Sequence, residues 1–213
     1  MNRELLEKHL RLVIEANKVT NITRITSWDD AWRLHVEDSL LGLNALNQCP
    51  DGKYADLGSG AGYPGIPLAI ETKRDTTLVD SVGKKTSILD GFIRDLGLSN
   101  VRSYHGRIEQ LSLEEPGCFA AVSARALAKT PVLLELASPL LQRGGVLICY
   151  KALVDQSEFE HARSIEKKVG MSLCSDETYE LQGYTRRILC FEKTASSSIT
   201  LPRHVGFAQK RPL

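Results

Sequence analysis

The sequence predicts an α/β protein whose mostly parallel, twisted sheet is flanked by helices and preceded by an N-terminal helical extension. Short apolar runs bounded by turn residues recur along the chain, which is typical of buried parallel strands. Apolar residues at helical spacing fill the intervals between these runs, and a glycine-rich turn follows the first of them. The predicted parallel strands lie near 53–57, 76–80, 101–104, 119–123 and 146–150.

Helical spacing near the N-terminus predicts an amphipathic helix over about 3–18. Ser27 can cap a second helix, because a side-chain oxygen accepts a hydrogen bond from the first turn, and this helix should run to about Leu46. The chain up to residue 48 is therefore predicted to form the helical extension.

Later helices are bounded by glycine and proline. One should end at Gly97, and another should begin at Pro131 and continue through Leu141 until Gly144 and Gly145 close it. A further helix follows about Asp155. The apolar runs near 171–180 and 184–193 predict an antiparallel hairpin at the sheet edge.

Composition predicts one globular domain over 1–213, with an α/β core at 49–195 and a basic tail at 196–213. The chain is 42% hydrophobic and 25% charged, which is ordinary for a globular protein. The five cysteines form no C-x-x-C pair, so we expect neither a metal site nor a disulfide framework. The N-terminus lacks an apolar signal core, and no apolar run approaches membrane-spanning length. We expect a cytoplasmic monomer that binds neither a membrane nor a metal.

The glycine-rich turn predicts a nucleoside-binding crevice. Asp56 ends the first strand, and glycines follow at positions 58, 60 and 62. A dinucleotide fingerprint would place its last glycine where Tyr63 stands, so the spacing favours the G-x-G-x-G turn typical of S-adenosylmethionine (SAM) sites. Asp80 ends the next strand, 22 residues after Gly58, where an acid can bond ribose hydroxyls. A glycine turn without a ligand is the structural alternative.

Several segments together resemble the bacterial 16S rRNA (guanine-N7) methyltransferases called RsmG or GidB. The most specific is the run from Asp56 to Leu68, which reads D-L-G-S-G-A-G-Y-P-G-I-P-L. The others are N-I-T-R-I from Asn21, H-V-E-D-S-L from His35, V-D-S from Val79 with Lys84 and Lys85, G-R-I-E from Gly106 and V-S-A-R-A from Val122. The chain departs from the family's F-D-x-V pattern, because Ala120 stands at the position of the acid.

The resemblance implies a Rossmann-like SAM-dependent methyltransferase fold and methyl transfer from SAM to guanine N7 in 16S rRNA or the small ribosomal subunit. It places cofactor contacts at five positions, which are Gly58, Tyr63, Ile108, Glu109 and Arg125. The glycine-turn argument adds Asp56, Gly60, Gly62 and Asp80 to the cofactor-binding set. Tyr63 could equally be a core aromatic, and Arg125 could instead form a surface ion pair.

His35 and Asp38 share a helix face and are the two candidates for a role in catalysis. His35 is either a structural residue or part of the guanine pocket, as the resemblance suggests. Guanine N7 carries a lone pair and no proton, so attack on the SAM methyl group requires no general base. A carboxylate such as Asp38 would stabilise the positive charge that develops on the purine.

Basic residues near the C-terminus predict an anionic partner. Residues 182–213 hold six Lys or Arg and one Glu, a net charge of +5 in a chain whose net charge is +1. Pro and Gly in the tail should keep it extended along a phosphate backbone, although a solvated tail is the alternative. The candidate RNA contacts are Lys84, Lys85, Arg125, Lys151, Arg186, Arg187, Arg203, Lys210 and Arg211.

Two other classes of function remain open at this stage. A SAM-dependent enzyme acting on a small molecule or protein would have no RNA affinity and could lose the tail without effect. A dinucleotide-dependent oxidoreductase is disfavoured by Tyr63 at the third glycine position. A noncatalytic RNA-binding module would need neither the glycine turn nor Asp80.

Overall fold

A seven-stranded sheet with helices on both faces organises the computed structural model, which describes residues 1–152 and 154–213. The strand order is β3-β2-β1-β4-β5-β7-β6. Strands β1 to β5 are parallel to one another, whereas β7 is antiparallel to both β5 and β6. The strands are β1 (Lys53–Leu57), β2 (Thr76–Asp80), β3 (Val101–His105), β4 (Phe119–Arg125), β5 (Leu141–Lys151), β6 (Met171–Leu181) and β7 (Tyr184–Lys193).

Two groups of helices surround this sheet and lead into it. The helices before β1 are α1 (Arg3–Asn17), α2 (Trp28–Ala31), a π-helix (Trp32–Glu37), α3 (Asp38–Leu40) and α4 (Leu43–Gln48). The later helices are α5 (Gly65–Thr72), α6 (Gly83–Leu96), α7 (Ile108–Glu114), α8 (Thr130–Ala137), α9 (Gln156–Val169) and α10 (Phe207–Lys210). None of the helices in the described ranges is long and apolar enough to cross a bilayer.

The core lies on both faces of the sheet. One apolar cluster joins the strands to α7, α8 and α9, with Phe119 and Phe191 fully buried. A second cluster joins α1, α5 and α6 around Leu10, Ile66 and Phe92. The N-terminal extension therefore contributes its apolar face to the core of the α/β unit instead of standing apart from it.

The sequence-based strands are confirmed, including the antiparallel edge hairpin. Two expectations about helices were wrong, and one helix was missed. The second helix is not continuous, because it widens into the π-helix at Trp32 and breaks at Gly42. Helix α8 ends at Ala137 and β5 already begins at Leu141, so the helical spacing through Leu141 was misleading. Helix α7 was not anticipated.

The C-terminal strap, which we define as residues 199–213, differs most from the prediction. An extended tail was expected, and this was wrong, because the strap folds back on the protein and contains α10. Ala208 of α10 packs against Val132 and Leu136 of α8, and Leu201 and Leu213 pack against the main core cluster. The cations of the strap are therefore held on the body of the protein.

Candidate active site

The glycine turn after β1 is built so that backbone, and not side chains, faces the site. Gly58 has φ +70°, and a Cβ at this position would lie 2.8 Å from Cδ1 of Leu127. Gly60 and Gly62 also have positive φ, at +56° and +90°. Any larger residue at position 58 would be strained twice, by its backbone conformation and by the contact with Leu127.

Asp56 supports this turn from inside the core. Its carboxylate accepts hydrogen bonds from the Gly65 amide (3.2 Å) and from Oγ of Ser123 (2.6 Å), and burial raises its pKa to about 6. The side chain is fully buried and lines neither of the two cavities that adjoin this turn. Asp56 ties β1, β4 and the start of α5 together, so its place in the structure is beneath the turn.

A first cavity opens where the carboxyl ends of β1 and β4 diverge, which is the usual ligand position in such sheets. Gly58 from the β1 end and Asp80 from the β2 end meet here with Ile108 and Glu109 after β3. Ala126, directly after β4, completes this edge. Four of the predicted cofactor-binding residues therefore line one cavity, whereas Gly60, Gly62, Tyr63 and Arg125 do not line it.

Asp80 presents a carboxylate that is only 7% exposed to this cavity. It accepts hydrogen bonds from the amides of Val82 (2.9 Å) and Gly60 (3.1 Å), and Nζ of Lys85 lies 3.9 Å away. A carboxylate has about four acceptor positions, so two remain for the hydroxyls of a ribose. The cavity thus fits a nucleoside cofactor: it has backbone at the turn, an acid at the ribose position and apolar side chains beyond.

A second cavity adjoins the first, and Ala126 lines both. The π-helix and α3 bring His35 and Asp38 to its wall, while β4 contributes Arg125 and β7 contributes Arg186. π-helical turns are rare and occur frequently at functional sites. The catalytic candidates and three predicted RNA contacts, Arg125, Lys151 and Arg186, are therefore brought together beside the first cavity.

One carboxylate organises the charges of this second cavity. Asp38, which is 4% exposed, accepts hydrogen bonds from Nη1 of Arg125 (2.7 Å) and from Nε of Arg186 (2.5 Å). Arg125 also donates to the Leu34 carbonyl at 3.0 Å. Two cations share one anion, so the wall of the cavity carries a net positive charge suited to a nucleotide.

His35 is held as a neutral imidazole. Burial and the neighbouring Arg125 guanidinium lower its pKa to about 4. Because Arg125 can only donate, Nδ1 of His35 must be the acceptor of their 3.4 Å contact, and this assigns the ring proton to Nε2, which lies 2.8 Å from Oγ1 of Thr23. Both ring nitrogens are already engaged.

Tyr63 lies inside the protein beneath these residues. Its ring stacks on His35 with centroids 4.7 Å apart and planes 11° apart, and the ring of His9 lies 4.5 Å away on α1. Tyr63 is 4% exposed and lines neither cavity. Its structural position is that of a core aromatic that links the N-terminal helices to the site.

Most of the predicted RNA contacts are already in ion pairs. Lys151 lies 2.8 Å from Glu158, Arg187 binds Asp176 through two 2.7 Å hydrogen bonds, and Arg203 binds Glu135 in the same two-pronged way. By contrast, Lys84, Lys210 and Arg211 are exposed and make no salt bridge to any residue of the two described ranges.

Sequence reasoning missed several residues of the site. Thr23 binds His35, Tyr184 and Tyr150 line the second cavity, and Gln209 of the strap lines the first. Thr23 stands in the N-I-T-R-I segment, which was singled out without a role. The other three lie in β7, β5 and the strap, where only the tertiary fold brings them to the site.

Comparison with known proteins agrees with this geometry. Residues 2–183 match the family model GidB, described as rRNA small subunit methyltransferase G. The chain belongs to the GidB family. It is 33% identical over 216 aligned positions to the Ribosomal RNA small subunit methyltransferase G of Streptococcus pyogenes serotype M12, with 99% of this chain and 91% of that protein covered. The protein of the same name from Streptococcus gordonii matches with the same identity and coverage.

Solved structures resemble this GidB protein in fold. A geranyl diphosphate methyltransferase in complex with SAM superposes with a TM-score of 0.61 at 12% identity, covering 75% of this chain and 85% of that one. Precorrin-6y C5,15-methyltransferase from Geobacter metallireducens superposes with a TM-score of 0.55 at 12% identity, covering 74% and 88%. The Rossmann-like methyltransferase fold is thus confirmed, and membership of a methyltransferase family supports SAM as the cofactor.

Proposed function

We propose that this GidB protein transfers the methyl group of SAM to N7 of a guanine in 16S rRNA, with the cofactor in the first cavity and the guanine in the second. The observation that carries the proposal is the common wall at Ala126. One cavity has the acid and glycine turn that suit a nucleoside, and the other has the cations that suit a nucleotide.

Methyl transfer requires the protein to align SAM with guanine N7, and it does not require a proton to be removed before attack. Bound SAM supplies a methyl group that its sulfonium already activates, and guanine N7 offers a lone pair without a proton. The neutral His35, with both nitrogens engaged, fits a reaction that needs no base. What the protein must do is hold N7 in line with the methyl group at attack distance.

The second cavity offers groups that could hold a nucleotide in this position. Asp38 and the Leu34 carbonyl use only some of the N–H groups of Arg125 and Arg186, and a guanidinium has five. The remaining N–H groups can donate to the guanine carbonyl or to phosphate. Tyr184 is 43% exposed, and the guanidinium groups of Arg33 and Arg186 each lie 5.4 Å from its ring centroid. This side of the cavity therefore presents planar groups of the kind on which a base turned out of its helix can stack.

The negative charge of Asp38 also has a role in this arrangement. Methylation at N7 makes the purine ring cationic, and two arginines alone would oppose that charge. Asp38 offsets one of the two positive charges and fixes the orientation of both guanidinium groups. We infer that Asp38 is an electrostatic and positioning residue, and that His35 orients Arg125.

An assay with methyl-labelled SAM tests the reaction. Purified 16S rRNA, small subunits and whole ribosomes are offered separately, and a modified base is located by the strand cleavage that 7-methylguanine permits after borohydride and aniline treatment. Label at one guanine is the expected result, and the three substrates show whether naked RNA or an assembled particle is preferred. Label in protein or in small molecules, with none in RNA, would contradict the proposal and favour the other class of methyltransferase.

The position of the cofactor is tested with Asp80→Asn. This change preserves the shape of the side chain but removes its charge, so SAM affinity should fall by about 1–3 kcal/mol, the usual value for a charged hydrogen-bond partner. Calorimetry with SAM measures the loss, and far-UV circular dichroism shows whether the fold is intact. Unchanged affinity in a folded variant would place the cofactor elsewhere.

The remaining expectations are part of the same proposal. A single methyltransferase domain over 1–213 and a monomeric state agree with a core to which the N-terminal helices and the strap both contribute. Because ribosomal RNA is the substrate, we place the reaction in the cytoplasm. Gly60, Gly62, Tyr63 and Arg125 do not line the first cavity and remain predicted cofactor-binding residues.

A further inference from the structure

The strap is fixed to the walls of the first cavity at two points. The amide of Gly206 donates a 2.7 Å hydrogen bond to Glu109, which lines that cavity. Arg203 donates to both carboxylate oxygens of Glu135, at 2.7 and 2.6 Å, and Glu135 is only 3% exposed. Glu135 directly precedes Leu136, another residue of the cavity wall. The strap is thus attached to α7 and α8, both of which contribute residues to the cavity wall.

The strap also supplies part of the wall. Gln209 lines the first cavity together with Ile108 and Leu136. Ala208, which is 2% exposed, packs against Leu136, and Ile108 packs against the same small cluster. The two apolar side chains that would flank an adenine therefore depend on the strap for their packing.

We propose that the strap is a wall of the cofactor site, in which Gln209 hydrogen-bonds the adenosyl part of SAM and the Arg203–Glu135 pair positions it. A carboxamide can donate to a ring nitrogen and accept from the exocyclic amine of adenine, as Gln and Asn do when they recognise this base. This inference rests on the proposed place of SAM in the first cavity. The basic C-terminal end would then bind the cofactor in addition to RNA.

If Gln209 binds the cofactor, the cofactor must in turn stabilise the closed position of the strap, because linkage between two binding events is reciprocal. Cofactor binding should therefore slow the opening of α10 and of the Gly206 contact. Hydrogen exchange of backbone amides measures such local opening.

Calorimetry with S-adenosylhomocysteine compares four forms of the full chain. Gln209→Ala should bind about fivefold to tenfold more weakly than wild type, the loss expected for one or two neutral hydrogen bonds. Val205→Ala, a change at an exposed residue of the same strap to which no contact with cofactor or RNA is assigned, should bind like wild type. Asp80→Asn reports whether this cavity holds the cofactor at all. Hydrogen exchange over residues 206–211, with and without S-adenosylhomocysteine, is the second readout.

The outcomes separate this inference from the proposed site. Weaker binding by Asp80→Asn and Gln209→Ala but not by Val205→Ala, with slower exchange in 206–211, supports the strap as a wall. Weaker binding by Asp80→Asn alone, with exchange in 206–211 unchanged by the ligand, overturns the role of the strap and leaves the site standing. If Asp80→Asn binds normally, the site itself is misplaced, and the strap inference fails with it.

Discussion

At the scale of the residue, His35 and Asp38 have different roles in the second cavity. The sequence placed both on one helix face but did not distinguish these roles. His35 holds Arg125 and Thr23 with its two nitrogens, whereas Asp38 holds two guanidinium groups with its two oxygens. A reaction at guanine N7 needs no base, so methyl transfer should depend less on the residue at position 35 than on the residue at position 38. Substitution should therefore affect Asp38 much more than His35.

We predict that His35→Ala keeps measurable turnover and that Asp38→Asn loses most of it. Removing the charge of Asp38 leaves Arg125 and Arg186 facing each other and the cationic purine, a cost of about 3 kcal/mol, or more than a hundredfold in rate. Single-turnover methylation of small subunits measures both rates, with calorimetry of SAM as the control. Complete loss of methyl transfer in His35→Ala, with SAM and RNA binding intact, would give His35 a catalytic role.

Two buried histidines should make the protein acid-sensitive. Burial lowers the pKa of His9 to about 3, and burial with Arg125 lowers that of His35 to about 4. The unfolded chain takes up these protons near pH 6.5, so the free energy of unfolding should fall below that pH by about 1.4 kcal/mol per unit for each histidine. Asp56, with its pKa raised to about 6 by burial, acts in the opposite direction below pH 6.

At pH 5 the balance is a loss of about 3 kcal/mol relative to pH 7, since two histidines outweigh one carboxyl. Urea unfolding across this range measures the slope. His9→Gln should make it about 1.4 kcal/mol per pH unit shallower, and exposed His105 gives a matched control as His105→Gln. An unchanged slope in His9→Gln would show that His9 is not held neutral.

The sequence indicated much of the first cavity but little of the second, for a physical reason. Gly58, Asp80 and Ile108 lie at strand ends, and the carboxyl ends of parallel strands meet at one edge whatever the details of packing. The contact between Asp38 and Arg186 joins positions 148 residues apart and depends on the antiparallel register of β7 against β5. No local pattern encodes that register.

At the scale of the element, helix and strand boundaries were predicted where local chemistry determines them. Gly97 ends α6 in the left-handed conformation, as its lack of a side chain allows. The apolar spacing of α8 continues past its true end at Ala137, because Leu140 and Leu141 are buried in the next strand and its approach. Buried helices and buried strands are both rich in apolar residues, so the spacing of apolar residues alone could not show where α8 ends and β5 begins.

In the strap, the sequence likewise could not distinguish paired cations from unpaired ones. Its arginines resemble free cations in the sequence, and only the fold reveals that buried Glu135 of α8 receives Arg203. Breaking this pair leaves an unpaired carboxylate in an apolar setting, which costs about 3 kcal/mol. The destabilisation belongs to the pairing of two elements, and it should disappear when both charges are removed.

We therefore predict that Arg203→Gln is destabilised by about 3 kcal/mol and that Glu135→Gln combined with Arg203→Gln recovers most of this stability. Denaturant unfolding of the two single variants and the double variant gives the interaction energy directly. Arg187→Gln, which breaks a more exposed pair with Asp176, is the control and should be destabilised by about 1 kcal/mol or less. Additive effects in the double variant would mean that the pair does not hold the strap.

At the scale of the whole molecule, exposed cations lie at both ends of the parallel strands, but the two cavities lie at the carboxyl ends. Lys84 follows β2, and Lys210 and Arg211 follow Gln209 in the strap, so these three lie at the same end of the sheet as the cavities. Arg143, near the start of β5, and Lys167 and Lys168, just before β6, lie at the opposite end of the strands. RNA held for methylation should contact the first set and not the second.

This asymmetry can be measured through salt. Each cation that binds a phosphate releases counterions, so removing one such cation should make the slope of log affinity against log salt shallower by about 0.7 for single-stranded RNA. Replacing Lys84, Lys210 and Arg211 by glutamine should therefore reduce the slope by up to about 2. The matched control replaces Arg143, Lys167 and Lys168 by glutamine, the same change in net charge at the opposite end of the strands, and should leave the slope unchanged. Equal reductions in both variants would mean that only net charge matters, and no reduction in either would assign RNA binding to the paired cations around Asp38.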